Sequence, residues 1–134
     1  MVDATGFTRD SGWQVGVRRT FPIPPTFAWE FLMGEGLSLW LGRTALGRVP
    51  GETYATFGGI RGEVRSRSEG RRVRLTWKPA EWSHDTRLQV TVLPAATGAT
   101  IAFHQERLAD AAEREQMRAH WSKVLDDIGA AIAP

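Results

Sequence analysis

The three histidines are the side chains best suited to proton transfer near neutral pH, because an unperturbed imidazole titrates close to that range. His84 lies in a predicted loop, His104 on the polar face of a predicted strand, and His120 beside Trp121 on the last predicted helix. We interpret His104 as structural. His120 is a candidate acid or base at a pocket wall, and the alternative is a structural histidine at the edge of the helix. No two histidines have the i, i+4 spacing of a helical metal site and the chain has no cysteine, so neither a metal nor a cofactor is predicted.

Catalysis by another route would need a nucleophile or paired carboxylates in a pocket. The candidate carboxylates fall at predicted surface or loop positions: Glu30, Glu35, Glu52, Glu63, Glu81 and Glu106. No Gly-x-Ser-x-Gly motif, phosphate loop or dinucleotide fingerprint occurs, and the glycines of 58–62 are not followed by a predicted helix. Nothing in the sequence requires catalysis, and whether the protein is an enzyme stays open.

A larger set of residues is suited to binding rather than to reaction. Strand positions predicted to face inward, one aromatic residue of a short helix and one stripe of the last helix should surround a common space: Trp13, Val15, Val17, Trp40, Phe57, Val64, Leu75, Trp77, Leu88, Val90, Ile101, Phe103, Met117, His120, Trp121 and Val124. Mostly apolar walls with a few polar groups are typical of a pocket for a small hydrophobic molecule. The six tryptophans of the chain could equally fill that space, so a solid core is the alternative.

One hairpin is strongly basic. Between residues 61 and 78, seven basic residues stand against two acidic ones, for a net charge of +5: Arg61, Arg65, Arg67, Arg71, Arg72, Arg74 and Lys78 against Glu63 and Glu69. This face could meet an anionic membrane surface or an acidic protein partner, and the alternative is a solvated outer face of a sheet. The aromatic residues alternate to the opposite face, so binding to nucleic acid is not predicted.

The long helix that must position the apolar stripe is predicted from Asp110 to Ile132. Asp110 and Glu113 have the spacing of a capping box, which begins a helix. Apolar residues then recur at spacings of four and three: Met117, Trp121, Val124, Ile128 and Ile132. Such a helix spans roughly 33 Å, so only a whole sheet can cover its stripe.

Period-two alternation upstream of that helix predicts the sheet. A first strand over 13–21 is followed by two short helices, about 25–33 and 37–41, and then by about five strands near 54–57, 60–67, 73–78, 88–92 and 100–108. Short turns between the later strands favour an antiparallel meander. The predicted fold class is therefore α+β, with a curved antiparallel sheet of about six strands around the C-terminal helix.

Composition bounds the domain organisation and the location. The chain has 134 residues and a mass of 14.9 kDa, a size that fits one domain, predicted over 13–134. Residues 1–12 are polar and contain glycine, so a flexible tail is predicted there. No long apolar run or secretory signal is seen and cysteine is absent, so we expect a cytoplasmic protein without a membrane span. The pI of 9.7 accompanies a net charge of only +2. No sequence feature decides between a monomer and a homodimer.

Motifs spread over about residues 15–132 resemble the START-like (SRPBCC) superfamily, which has the helix-grip fold also seen in birch-pollen allergens. Within it they are most similar to the homologues of the activator of the heat-shock protein 90 ATPase. The motifs are Phe21-Pro-Ile-Pro-Pro-Thr-Phe-Ala-Trp29, Leu39-Trp40-Leu41-Gly42, Arg72-Val-Arg-Leu-Thr-Trp77, Gly98-Ala-Thr-Ile-Ala-Phe-His104 and His120-Trp121-Ser-Lys-Val-Leu125. Family members typically have glycine where this chain has His120.

The resemblance implies a hydrophobic cavity between sheet and helix. It favours a bacterial protein, without assigned activity, that binds a lipid-like or polyketide-like molecule. Two alternatives remain open at this point. One is a protein-interaction module like the co-chaperone activators of the heat-shock protein 90 ATPase, and the other is an enzyme like the cyclases and aromatases of the superfamily.

Overall fold

The structure is a computed structural model that describes residues 6–8 and 12–133. Within these residues there are seven strands and three helices, in the order β1 (Phe7–Thr8), β2 (Gly12–Phe21), α1 (Pro25–Met33), α2 (Leu37–Trp40), β3 (Thr53–Ala55), β4 (Ile60–Ser68), β5 (Arg72–Pro79), β6 (Thr86–Ala95), β7 (Gly98–Leu108) and α3 (Ala111–Ile132). The predicted α+β class and the order of its elements are confirmed.

The strands form one antiparallel sheet in the order β1-β2-β7-β6-β5-β4-β3. Strands β3 to β7 are a meander, and β2 pairs with β7, so the first long strand lies beside the last. Helices α1 and α2 stand between β2 and β3 in the chain, and α3 packs across the inner face, against β2 and β7. Sheet and long helix therefore enclose the core together, as expected.

Strand β1 is one strand more than the six predicted, and it falls in the stretch predicted as a tail. Phe7 pairs with Trp13 and Thr8 with Gly12, and the rings of Phe7 and Trp13 lie 5.4 Å apart. The rest of the predicted tail, residues 1–5 and 9–11, lies outside the described residues. The division into a tail over 1–12 and a domain over 13–134 stays a prediction.

The start of α3 has the predicted capping box, with one difference. The Asp110 carboxylate accepts a hydrogen bond from the Glu113 backbone N–H at 2.8 Å. The Glu113 carboxylate accepts from the backbone N–H of Ala109, at 3.1 Å, rather than from that of Asp110. Both carboxylates thus satisfy exposed backbone donors at the helix start, where negative charge also suits the helix dipole.

The centre of the space between sheet and helix is filled by aromatic rings. Phe103 and Trp121 stack with centroids 4.9 Å apart and planes 10° apart, and Trp40 lies 6.2 Å from Phe103. A buried polar chain continues from them. The Trp121 indole donates to Gln105 at 2.8 Å, the Gln105 amide donates to the Thr86 hydroxyl at 2.9 Å, and that hydroxyl donates to the backbone oxygen of Trp77 at 2.6 Å. These rings and side chains therefore pack the middle of the fold, and the polar groups of this chain of hydrogen bonds are paired.

A β-bulge in β4 corrects the predicted basic face. Val64 pairs with Leu75 but Ser66 pairs with Arg74, so Arg65 is an extra residue in the strand. Alternation predicts Arg67 on the outer face; the extra residue instead turns it to the inner side, because a one-residue shift exchanges the two faces. The Arg67 side chain is only 5% exposed.

Phe57 is a second correction. It was predicted to face inward from a strand, but β3 ends at Ala55 and the chain turns back within four residues. The turn is closed by the Thr56 N–H donating to the oxygen of Ile60 at 2.7 Å, and Gly59 has a φ of +94°, a conformation that suits glycine. Phe57 lies at the tip of this turn and is 89% exposed. It belongs neither to the core nor to a pocket.

Candidate functional site

An open hollow of about 420 Å³ lies where the end of the sheet meets the first half of α3. Ile60 and Trp77 line it from β4 and β5, Trp82 from the connection after β5, and Met117, His120 and Lys123 from α3. The position of the hollow follows from the boundary between the buried apolar row of α3 and its exposed neighbours. Trp121, Val124 and Ile128 are buried in the core, whereas His120 and Lys123, each one residue before a buried position, are exposed.

Aromatic rings surround Trp77 in this hollow. Its centroid lies 5.5 Å from that of Trp82 at 76°, 6.1 Å from that of His120 and 5.7 Å from that of Trp121. Trp82 in turn stacks on His84 at 5.0 Å with planes 9° apart. Edge-to-face and stacked pairs at these distances are favourable. The hollow is therefore walled by flat, polarisable surfaces.

The indole N–H of Trp77 has an unusual environment. Trp77 is 4% exposed, and within residues 6–8 and 12–133 its Nε1 is the one buried side-chain nitrogen or oxygen atom without a hydrogen-bond partner. The other core tryptophans are paired, with Trp40 donating to the oxygen of Leu32 at 2.8 Å and Trp121 to Gln105 at 2.8 Å. An unpaired buried donor costs about 1 to 3 kcal/mol. The Trp77 indole therefore has a hydrogen-bond donor that the described part of the protein leaves unused.

Two histidines stand beside these rings in different surroundings. Desolvation lowers the pKa of His120, and the charge of Lys123 lowers it further, so the neutral imidazole is favoured at neutral pH. The Nε2 atom of His84 lies 2.7 Å from Oε1 of Glu113, the carboxylate that also caps α3. His84 thus joins the connection after β5 to the start of the helix, and His120 is the titratable imidazole at the hollow.

The structure divides the predicted binding residues into groups. Trp77, Met117 and His120 line the hollow, and Phe57 is exposed. Trp13 and Val17 are half-buried beside the core, and the remaining residues lie within the protein interior: Val15, Trp40, Val64, Leu75, Leu88, Val90, Ile101, Phe103, Trp121 and Val124. Whether any of them binds a ligand stays a prediction.

Sequence reasoning missed other residues of the hollow. Gln116 and Lys123 line it together with His120, at spacings of four and three. This row runs one position before the buried row of Met117, Trp121 and Val124, so the helical period could have identified it. Trp82 sits in an irregular connection, and no periodicity could have placed it.

Metal binding and membrane spanning were considered for the described residues as well. In the ranges 6–8 and 12–133, no three His, Asp or Glu side chains are grouped so that they could hold a metal ion. None of the helices in the same ranges is long and apolar enough to cross a membrane.

Comparison with solved structures identifies the class of fold. The chain has the helix-grip fold: a curved antiparallel sheet closed by a long C-terminal helix, with two short helices after the first long strand. The fold implied by the sequence motifs is therefore confirmed. A scan against protein-family models finds no match, and neither does a search of curated proteins.

Three solved structures illustrate the similarity. DynU16, a protein of the dynemicin biosynthetic locus, is 17% identical with a TM-score of 0.78 over 87% of this chain and 46% of its own. CalU16 from Micromonospora echinospora is 17% identical with a TM-score of 0.77, over 90% of this chain and 76% of its own. PFC0360w, an HSP90 activator from Plasmodium falciparum, is 13% identical with a TM-score of 0.73, over 89% of this chain and 95% of its own. The chain spans about half the length of DynU16, and identities this low establish the fold alone.

Proposed function

We propose that the protein binds a small, flat, hydrophobic molecule with an acceptor oxygen in the hollow beside Trp77. The observation that carries the proposal is the buried, unpaired indole N–H of Trp77 in a wall of that hollow. A carbonyl, phenol or ether oxygen on the ligand accepts this hydrogen bond. Aromatic polyketide-like molecules have that combination of planar surface and oxygen.

The surrounding rings support a planar ligand. Trp82 and His120 flank Trp77, and Ile60 and Met117 add aliphatic surface. A flat ligand gains stacking contacts and buries apolar area at about 25 cal/mol per Å². The oxygen adds orientation, because a buried donor without a partner disfavours any ligand that cannot accept its hydrogen bond.

Binding requires a small movement of the hollow's outer wall, because Trp77 is 4% exposed before the ligand arrives. Trp82 belongs to the irregular connection between β5 and β6, so its ring can move without breaking a strand pairing. His84 restrains that connection through Glu113. The Trp82 ring moves outward, and the ligand lies between it and Trp77.

The test compares two ligands of nearly the same shape. The affinities of 2-acetylnaphthalene and 2-ethylnaphthalene are measured by ¹H–¹⁵N NMR titration of the full chain. The ketone should bind about fivefold to tenfold more tightly, the ratio expected from one hydrogen bond to a buried donor. In a Trp77→Phe variant the two affinities should become equal. The proposal is overturned if wild type binds both equally or binds neither.

A second candidate function is proton-transfer chemistry on the bound ligand, of the kind that a cyclase performs. His120 favours it, because its ring lies 6.1 Å from that of Trp77, lines the hollow and has a lowered pKa. A neutral imidazole can accept a proton from an acidic C–H or O–H group. Deuterium exchange at the methyl group of bound 2-acetylnaphthalene would be followed by ¹H NMR. Exchange that is no faster with wild type than with His120→Gln would remove this candidate.

A further inference from the structure

A second hollow, again of about 420 Å³, lies on the outer face of the sheet, away from α3. Its side walls come from β4, β5, β6 and β7, and they carry charged or polar groups: Arg65, Ser66, Arg74, Arg87, His104 and Glu106. We propose that this hollow binds the phosphate group of a small, water-soluble phosphate monoester. The inference is independent of the proposed function, because the two hollows lie on opposite faces of the sheet.

The β-bulge of β4 creates one side of this site. Because Val64 is buried and Arg67 turns inward, the two residues between them, Arg65 and Ser66, both lie on the outer side. Ser66 pairs with Arg74 of β5, so the bulge brings a guanidinium and a hydroxyl next to a second guanidinium. A regular strand would place only one of the two bulge residues on this face.

Hydrogen bonds hold Arg74 in position. Its Nε donates to Oε1 of Gln89, the residue opposite it on β6, at 2.6 Å, and the Gln89 amide donates to the Thr91 hydroxyl at 3.3 Å. Bonding through Nε leaves the two terminal nitrogens of the guanidinium for another acceptor. A planar guanidinium fixed in this way is suited to two parallel hydrogen bonds with an oxyanion.

Arg87 supplies the third positive charge. It lies two residues before Gln89 on β6, diagonal to Arg74, and no hydrogen-bond or ion-pair partner is found for it in the described part of the chain. Like charges placed close together on a sheet repel each other. A bound anion removes this repulsion between Arg74 and Arg87.

The charge balance indicates the kind of anion. Three arginines stand against two carboxylates, Glu106 in the hollow and Glu63, which pairs with Arg65 at 2.8 Å. The net charge of +1 favours one phosphate group over several. Glu106 lies 3.7 Å from Nδ1 of His104 and opposite Arg87, where it would repel a second phosphate. A monoester is therefore favoured over a polyphosphate or a nucleic-acid backbone, and the hollow also has room for the organic group.

The test uses ribose 5-phosphate as the probe, with ribose as the matched control that lacks the phosphate. Binding is followed by ¹H–¹⁵N NMR titration in a phosphate-free buffer of constant ionic strength. Ribose 5-phosphate should bind with a dissociation constant of about 1 mM or lower, and ribose should not. Arg74→Gln and Arg87→Gln should each weaken binding about tenfold, as expected for charge-assisted hydrogen bonds.

Arg18→Gln is the matched control for charge. Arg18 is exposed on the same sheet face, on β2, outside the hollow, and its replacement should change the affinity by less than about twofold. Equal losses in Arg18→Gln and Arg74→Gln would overturn the proposal, because the face would then act only through its overall charge. Absence of binding at about 10 mM probe, equal binding of ribose, or binding only to phosphatidylserine vesicles would overturn it as well.

Discussion

The guanidinium of Arg67 lies 5.8 Å from the centre of the Trp29 ring, between the sheet and α1. It also donates to the backbone oxygen of Gly47 at 3.0 Å and pairs with Glu69, whose carboxylate accepts from the Trp29 indole at 3.2 Å. An arginine predicted to face solvent is thus the link between a loop, a helix and the inner side of the sheet.

Loss of this link should destabilise the fold. Arg67→Gln removes the cation–π contact and the charged hydrogen bond to Gly47, and we expect a cost of about 2 to 3 kcal/mol in the free energy of unfolding. Arg65→Gln is the matched control, because the side chain of Arg65 is 61% exposed; it should cost less than about 1 kcal/mol. Urea unfolding measures both, and equal effects would contradict the placement of Arg67.

Glu69 should make part of the stability depend on pH. The hydrogen bond from Arg67 lowers the pKa of Glu69 below its ordinary 4.5, the Trp29 indole adds to this, and partial burial opposes it. The stabilisation is therefore present above the ordinary pKa and is lost as the pH falls through the lower, folded-state pKa.

Urea unfolding at several values between about pH 3 and pH 7 measures this dependence. The difference in unfolding free energy between wild type and Glu69→Gln should be largest near neutral pH and should shrink in acid. Glu35→Gln, at an exposed position, corrects for the change in net charge. A difference that stays constant across the range would contradict the role given to Glu69.

The sequence predicted most of the fold because its signals are local. Prolines before α1, the capping residues Asp110 and Glu113, and the period of the α3 stripe each act within a few neighbours. The β-bulge at Arg65 depends on how β4 pairs with β5, which no local pattern encodes. For this reason the alternation predicts the wrong face for Arg67 and does not predict the outer hollow.

The candidate site was predicted only in part, for a related reason. Periodicity identifies which residues face inward, and Trp77 and Met117 were found in this way. It does not say which inward residues fill space and which border it. Phe103 and Trp121 fill the centre by stacking on each other, a contact between residues 18 positions apart that the sequence alone does not reveal.

The two buried tryptophans Trp77 and Trp121 should respond differently to replacement by phenylalanine. Trp121→Phe leaves the fully buried Gln105 oxygen without its donor, whereas Trp77→Phe removes a donor that has no acceptor. We expect Trp121→Phe to cost about 1 to 3 kcal/mol more than Trp77→Phe. Thermal and urea unfolding of the two variants check this, and a larger cost for Trp77→Phe would show that its N–H is paired.

Arg107 has a backbone conformation that L-residues rarely adopt, with a φ of +65° near the end of β7. Arg107→Gly should relieve this strain and raise the free energy of unfolding by up to about 1 kcal/mol. Glu106→Gly, one residue earlier in the extended strand, should lower it by about 0.5 to 1 kcal/mol. If both glycines destabilise equally, the strain at Arg107 is absent.

Donation of the buried Trp77 N–H to a ligand can be followed in the NMR signal of that one proton. The indole signals are assigned by the loss of one signal in Trp77→Phe, and 2-acetylnaphthalene is then added to wild type. We expect a downfield shift of the Trp77 Nε1 proton, larger than that of the paired Trp40 and Trp121 protons and absent with 2-ethylnaphthalene. A Trp77 signal that does not move while the ketone binds would show that this N–H does not donate to the ligand.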